Sequence, residues 1–517
     1  MNQSAALVPS SYQVAVYNDI AVGEGNTVVN AVAGSGKTTT IVAGLKYVPK
    51  GLSTLFVAFN KSIADELKTR APYGVDVSTL HSYGLRCVSK ALGRLTINQY
   101  RVDNFVLLMH PTPPRTENDN GVYSEEEYVS IKMEESIKAQ ELSAMRRDLA
   151  RVVSLAKGAL AGDEDDIESI IESFNIETCP IEGENRVKRD AFIADVLTLL
   201  TQCTSTEDGQ MDFDDMIWLP IILNLPQRKY QRVFGDEIQD FNACQIELMI
   251  RALAPDGRFM GVGDPRQAIY GFRGADENAF ENVKTRLEAK ELPLSVCYRC
   301  AVLIVEEAQA IVPTIQAAPN AKQGDVQIVR YNEMRKSARP GDFILSRTNA
   351  PLARICMAFL SENRRAVIQG RDIGVSLAAF VKKSKAKTVT ELRSYVEEWS
   401  EKEVARLAAK KRDTQPAEDR AACILAISDG AASVADVRSR IERLFSDKSD
   451  TNCIVLSTTH KAKGMERDRV WMLQDTYCRR TGVEEENLKY VAITRAKSKL
   501  FLVQKPSKAD RDEDNEE

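Results

Sequence analysis

Short, continuous apolar runs alternate with helix-period segments over the first hundred residues. Val14, Val16, Tyr17 and Ile20 recur at helical spacing, and the β-branched run Thr27-Val28-Val29 follows. Ile41, Val42 and Leu45 then predict a second helix, and Thr54–Phe59 and Val75–Ser78 predict two more buried strands. Apolar strands that alternate with helices point to a parallel sheet covered on both faces. From Ala91 to about Leu200 the texture changes to long, charged, helical segments such as Glu134–Lys157, broken by the proline-rich loop His110–Gly121. Sheet texture returns at Arg232–Gly235 and Phe259–Gly263. A second α/β stretch begins near Leu292, with strands predicted at Phe343 onward and at Ala366–Ile368. It yields to helical sequence from about Leu377 to Asp450, resumes at Cys453–Thr459 and closes at Leu500–Val503. The pattern therefore predicts an α/β fold with two parallel-sheet layers, each interrupted by a mainly helical insertion.

The polar residues at the ends of these strands carry the chemistry. Ala31-Val32-Ala33-Gly34-Ser35-Gly36-Lys37-Thr38-Thr39 lies between a strand and a helix start. Such a loop turns backbone N–H groups inward, and the helix dipole adds positive potential where a phosphate would sit. Gly34 and Gly36 permit the tight backbone, Lys37 reaches the β/γ-phosphates, and the Thr38 hydroxyl can ligand Mg²⁺. The strict phosphate-binding motif opens with glycine, and here Ala31 stands in that place. Asp236-Glu237 at a later strand end supplies the second half. Asp236 can hold Mg²⁺, and Glu237 can orient and deprotonate a water. Arg299 and Arg495 are candidate cations against charge developing on a γ-phosphate, and a cation from another layer would couple chemistry to closure. Gln13, at a helix start, could read both the donor and the acceptor of adenine. Asn60-Lys61 and Thr79-Leu80-His81 stand at the ends of two parallel strands, where open α/β sheets place ligands.

Composition narrows the class without choosing a partner. The 517 residues exceed a single core, and 44% hydrophobic with 28% charged residues is the balance of a globular protein. No run reaches the length of a membrane span, and Met1–Pro9 lacks the basic start of a signal peptide. That suits a cytoplasmic protein, or one that travels with the nucleic acid of a host or phage. Ten cysteines without a repeating spacing suit reduced thiols. Cys297-x-x-Cys300 has no second pair to complete a zinc site. The net charge of −5 requires any nucleic-acid surface to be local, with acid concentrated in Asp163–Asp166 and Asp510–Glu517.

The ordered set Gln13, Ala31–Thr38, Phe59–Lys61, Thr79–His81, Asp236–Asp240, Gly263–Gly274, Tyr298-Arg299, Thr458–Glu466 and Tyr490–Ala496 resembles the UvrD/Rep-like branch of superfamily 1 DNA helicases. Ala58–Ala64 and Asn487–Lys497 look most like the motor of the F-box DNA helicases and their phage and bacterial relatives. The resemblance implies two RecA-like domains, at 1–90 with 201–290 and at 291–376 with 451–505. It also implies helical insertions at 91–200 and 377–450, and an acidic tail at 506–517. It implies ATP and Mg²⁺ as cofactors, with Lys37, Asp236, Glu237, Gln267, Arg299 and Arg495 catalytic and Thr38 and Asp236 on the metal. Gln13, Ala33–Thr39, Tyr298 and Glu466 would hold the nucleotide, with Tyr298 stacked on adenine and Glu466 on the ribose. Single-stranded DNA would meet Phe59, Asn60, Lys61, Thr79, His81 and Phe272 on the first layer, and Arg347, Asn349, Thr459 and His460 on the second. Phe272 takes the place of a base-stacking tryptophan, although core packing is the plainer use of a phenylalanine.

The implied activity is ATP-driven translocation on single-stranded DNA, 3′→5′, with single-strand/duplex junctions as substrates. The family carries a strand-separating hairpin beyond its last motif, where this chain has only Gln504–Glu517 after its closing strand. Nor does an F-box fit ahead of residue 12. Two alternatives stay open: an ATP-gated remodeller that strips proteins from single strands without unwinding, and an RNA motor. If unwinding occurs, Leu107–Arg115, an apolar end leading into a proline-stiffened loop, is the candidate wedge.

Overall fold

The computed structural model describes residues 8–58, 60–113, 125–174, 176, 186–271, 274, 278–409, 413–446, 452–477 and 482–504. Phe59, Phe272, Pro114, Arg115 and the acidic tail lie outside the described residues. The chain forms two units. One comprises Met1–Asn30, Lys37–Pro265 and Tyr270–Pro293; the other comprises Ala31–Gly36, Arg266–Ile269 and Leu294–Glu517.

The first unit is built on β1 (Thr27–Ala31), β2 (Thr54–Ala58), β3 (Val75–Thr79), the short pair β4 (Thr96–Ile97) and β5 (Gln210–Met211), β6 (Tyr230–Asp236), β7 (Leu253–Gly263) and β8 (Lys290–Leu294). Six of these form a sheet in the order β3-β2-β6-β7-β1-β8. The pairs β1–β7, β2–β3, β2–β6 and β6–β7 are parallel. Val28, Leu55, Val57 and Val233 are fully buried because helices cover the sheet, so these strands read as unbroken apolar runs. The helices between β3 and β6 include Arg101–Met109, Glu125–Ala159, Glu164–Ser173 and Arg186–Thr204. Their inward faces continue the same core through Val106, Leu149, Val153, Ile167 and Val196.

The second unit carries β9 (Val296–Cys297), β10 (Gln316–Ala317), β11 (Asp325–Arg330), β12 (Phe343–Ser346), β13 (Ala366–Ile368), β14 (Ile454–Thr458), β15 (Arg467–Leu473) and β16 (Ala496–Gln504). Six make an all-parallel sheet in the order β11-β16-β15-β12-β14-β13. Among the described residues, four helices stand between β13 and β14: Arg371–Lys383, Val389–Ala409, Gln415–Ser428 and Val434–Leu444. Leu392, Val396, Ile424 and Ile441 bury them against one core with Ile344 and Leu456. Two parallel-sheet layers with helices interposed is the α/β class that the hydrophobic pattern predicts. Among the described residues no helix is long and apolar enough to cross a membrane.

Candidate functional site

In the first unit, parallel register brings the C-terminal ends of β1, β6 and β7 side by side: Asn30 pairs with Gly263, and Asp236 with Val262. The helix Lys37–Gly44 starts beyond β1, with Lys37 and Thr40 buried. Lys37 Nζ lies 3.5 Å from Glu237 Oε1, and the Thr38 hydroxyl donates to Asp236 Oδ2 at 2.6 Å. Asp236 is completely buried. Burial first, and then the neighbouring Glu237 charge, push its carboxyl up to about 7, against the Thr38 hydrogen bond and Lys37. A buried carboxylate beside a second, partly exposed acid fits a hard divalent cation, which accepts carboxylate and hydroxyl oxygens and keeps its own waters. Among the described residues no group of three or more His, Cys, Asp or Glu gathers as a metal cage, and Mg²⁺ requires none.

Glu237 adopts a left-handed backbone, φ 54°, a conformation that side chains other than glycine rarely take. Gln239 holds it there. Its Nε2 donates to Glu237 Oε2 at 2.6 Å, and its Oε1 accepts from the Asp264 N–H at 3.0 Å. One amide thus links the ends of β6 and β7 and aims the carboxylate. Gln13 closes a capping box with Ser10 at the start of the helix Ser11–Val22, and its Nε2 donates to Thr40 Oγ1 at 3.0 Å.

In the second unit, the loop Ala31–Gly36 is held by backbone and by tyrosine. The Ala33 N–H donates to the Tyr490 hydroxyl at 2.8 Å, and the Tyr298 N–H donates to the Gly34 carbonyl at 2.9 Å. Ser35 Oγ is buried and meets no hydrogen-bond partner among the described residues. Arg299 Nε pairs with Glu466 Oε2 at 2.5 Å, and Arg299 Nη1 donates to the Thr494 carbonyl at 3.3 Å. Lys497 Nζ holds the other Glu466 oxygen at 2.7 Å. Burial pushes the Glu466 carboxyl up, but Lys497 and Arg299 outweigh it and hold the group below the usual range. Arg495 is buried completely, and burial, then the nearby Arg299, lowers its guanidinium to about 10. It donates to the carbonyls of Val491 and Met465 and reaches Gln267 Oε1 at 3.5 Å. Tyr298 leaves its ring partly open to solvent, as a stacking surface requires.

The described residues expected on DNA fall at two strand-end clusters. In the first unit, Ala58 pairs with Thr79, so Asn60-Lys61 and Thr79–His81 leave adjacent strands together. Asn60 and Thr79 cap the helices that follow them, accepting from Ile63 and Ser82 N–H groups. Lys61 and His81 are exposed. In the second unit, Ser346 pairs with Thr458, which sets Arg347 and Asn349 beside Thr459 and His460. Arg347 Nε donates to Glu485 at 3.0 Å, and the buried Thr459 hydroxyl meets the Tyr477 hydroxyl. Asp419 accepts from the Asn349 N–H and side-chain amide and from the Ala350 N–H.

Residues 15–288 match the model of the UvrD/REP helicase N-terminal domain, more than half of the chain. The chain belongs to the UvrD/REP helicase family. Residues 382–506 match the UvrD-like helicase C-terminal domain. The F-box DNA helicase protein 1 of Schizosaccharomyces pombe is 25% identical over 92% of this chain and 55% of its own length. The ATP-dependent DNA helicase PcrA of Staphylococcus aureus is 25% identical over 56% of this chain and 38% of its own. A putative ATP-dependent DNA helicase of Bacillus subtilis, YjcD, is 30% identical over 28% of this chain and 23% of its own. The chain thus spans about half the length, or less, of the curated relatives it matches.

Within this superfamily 1 framework, several residues hold the candidate site without having been singled out from sequence. Gln239 and Tyr490 stand inside the stretches that carried the resemblance, but only their partners reveal what they do. Asp419 comes from a helical insertion that offered no signal. Glu485 was one acid in a run of three, Glu484–Glu486, and only its burial and its bond to Arg347 distinguish it.

Proposed function

We propose that this chain is an ATP-dependent single-stranded DNA translocase and DNA helicase that moves 3′→5′. The carrying observation is the carboxylate pair at the end of β6, with Thr38 on Asp236 and Lys37 facing Glu237, in a member of the UvrD/REP helicase family. In this reading Lys37 and the N–H groups of Ala33–Thr39 neutralise the triphosphate, and Gln13, Tyr298 and Glu466 hold the nucleoside. Thr38 and Asp236 would hold Mg²⁺, which when bound supplies positive charge against the phosphate oxygens. Glu237 orients the attacking water and accepts its proton, with Gln239 fixing the carboxylate. Gln267 senses the γ-phosphate, and Arg299 and Arg495 stabilise the charge spread over the transferring group.

DNA, in the same reading, is held along the strand-end clusters by Asn60, Lys61, Thr79 and His81 and by Arg347, Asn349, Thr459 and His460. Phe59 and Phe272 belong to this set by sequence alone. Backbone and stacking contacts of this kind tolerate any base, so single strands of any sequence should serve. The domain limits read from the sequence are proposed with it, as are single-strand/duplex junctions as the unwinding substrate.

ATP turnover with and without single-stranded DNA tests the motor, and 3′- and 5′-tailed duplexes in DNA and RNA test substrate and direction. The reading expects DNA-stimulated turnover and unwinding from 3′ tails. Turnover without unwinding of any tailed duplex would leave a remodeller, and unwinding from 5′ tails would overturn the direction.

A further inference from the structure

Cys297 ends β9, and Cys300 stands directly ahead of Ala301, the N-cap of the helix Val302–Gln309. Strand, Cys-x-x-Cys, helix is an order in which neighbouring thiols exchange protons and electrons. Both side chains are buried, and the Cys300 N–H donates to Cys297 Sγ at 3.4 Å. The Cys300 side chain beside it, outweighing burial, lowers the Cys297 thiol to about 7, while Cys297 and burial raise the Cys300 thiol, so one sulfur is prepared as the thiolate and the other keeps the proton. Burial raises the thiols of Cys87, Cys203, Cys244, Cys356 and Cys423, which leaves them inert by comparison.

The pair encloses Arg299 and touches what surrounds it. Cys300 Sγ approaches the Thr494 carbonyl at 3.8 Å, the same oxygen that accepts from Arg299 Nη1 at 3.3 Å. Cys297 Sγ packs under Gly34 so closely that a Cβ there would come within 2.8 Å of it. Any movement of the two sulfurs is therefore passed to Arg299, to Thr494 beside Arg495, and to the loop Ala31–Gly36.

We propose that Cys297 and Cys300 are a redox modification site, and that their reversible disulfide switches off the arginine between them. With a hydroperoxide as oxidant, the Cys297 thiolate attacks one peroxide oxygen, the O–O bond breaks, and hydroxide or alkoxide leaves. The Cys300 sulfur then attacks the resulting sulfenic sulfur. The S–O bond breaks, the S–S bond forms, and the thiol proton leaves with the oxygen as water. Two thiols and one hydroperoxide give one disulfide, one alcohol or water, and one water. A dithiol reverses it by exchange through a mixed disulfide. Forming the bond draws Cys300 Sγ away from the Thr494 carbonyl and retightens the turn that carries Arg299. The effect on turnover rests on Arg299 acting on ATP as proposed above, whereas the disulfide itself does not.

The full chain is treated with hydrogen peroxide or kept in dithiothreitol, then read by peptide mass mapping and by DNA-stimulated ATP turnover. The peptide holding both cysteines should lose two hydrogens. Turnover should fall on the order of 100-fold or more, the scale of losing one transition-state donor, and return with dithiothreitol. Cys297→Ser and Cys300→Ser chains should turn over ATP in the reduced form and keep that rate in peroxide. The proposal is overturned if the bond does not form, if it forms without slowing turnover, or if either serine variant is as peroxide-sensitive as the parent. A reduced parent chain with no turnover refutes the ATPase reading instead, and mass mapping still decides the disulfide.

Discussion

Lys157 Nζ lies 2.7 Å from Asp215 Oδ1, and both side chains are sealed from solvent. Lys157 also reaches Asp212 at 2.6 Å, and Arg101 reaches Asp215 at 2.7 Å and Asp208 at 3.0 Å. This buried cluster joins the helices Arg101–Met109, Glu125–Ala159 and Asp215–Ile222. Burial works against the Lys157 ammonium, but Asp215 and Asp212 prevail and hold it above the ordinary lysine value. Replacing one member strands the others, so Lys157→Met should cost about 3–5 kcal/mol in urea unfolding followed by circular dichroism. The sign of the pH dependence follows from the raised value. The contribution is whole below the ordinary 10.5 and is lost as pH rises through the higher folded-state value. The gap between parent and variant should hold from about pH 7 to about pH 10 and narrow only above that.

Gln239 should act on catalysis through Glu237. Gln239→Ala removes an N–H that favours the charged carboxylate, so the Glu237 pKa rises and the acid limb of the pH–rate profile moves to higher pH. We expect kcat to fall on the order of 10- to 100-fold while nucleotide affinity is kept. Glu237→Gln should abolish turnover and still bind ATP. An unchanged pH profile in Gln239→Ala would show that the amide only packs.

Gly34→Ala should abolish nucleotide binding. Its φ of 69° is strained for alanine, and the new Cβ would stand 2.6 Å from Arg299 Cβ and 2.8 Å from Cys297 Sγ. Gly25 has the same φ with nothing within 4 Å, so Gly25→Ala isolates the backbone cost, on the order of 1–3 kcal/mol. Titration with a fluorescent ATP analogue separates the two, and equal loss in both would exclude the collision as the cause.

Strands were the legible part of this chain because burial on both faces makes each a continuous apolar run. Val28-Val29, Leu55–Ala58 and Ile454–Leu456 announce themselves, and the polar residues that follow them stand out by contrast. What the sequence did not carry was register. That Asp236 pairs with Val262 decides that Gln239 can bridge Glu237 to Asp264, and no local pattern encodes it. The carboxylate at Asp419 is similarly mute, one acid on a charged helix until the fold sets it against Asn349. The Leu253–Gly263 strand runs longer than its apolar core, Phe259–Val262, because Leu253 pairs with Tyr230 ahead of an irregularity that leaves Pro255 and Asp256 exposed before Arg258 pairs with Arg232.

Asp419 should matter to DNA through Asn349. It accepts from the Asn349 N–H at 2.9 Å, from its amide at 3.1 Å and from the Ala350 N–H at 2.7 Å. It thereby caps the helix Asn349–Ser361 from another element. Asp419→Ala should cost about 0.5–2 kcal/mol as a lost cap and weaken single-stranded DNA binding, with ATP affinity unaltered. Fluorescence anisotropy with labelled oligonucleotide checks this, and unchanged DNA affinity would remove Asn349 from the DNA set.

Strand separation, if it uses the helical insertion of the first unit, should depend on the end of the helix Arg101–Met109. Leu107 and Leu108 are 47% and 79% exposed there, an unusual placement for two consecutive leucines. The chain just beyond is anchored rather than loose: His110 Nε2 meets Asp195 at 2.8 Å, and Arg146 donates to the His110 carbonyl. An apolar edge on a fixed support can be pressed against a base pair with little ordering cost. Changing His110 would test the anchor as much as the edge, so Leu108→Ser is the cleaner probe. It should lower unwinding of a 3′-tailed duplex several-fold, about 1 kcal/mol of lost apolar contact, and leave DNA-stimulated ATP turnover within about twofold. If unwinding and turnover fall together, or neither changes, the leucine edge is not a wedge, and the helices Arg371–Leu444 become the next place to look.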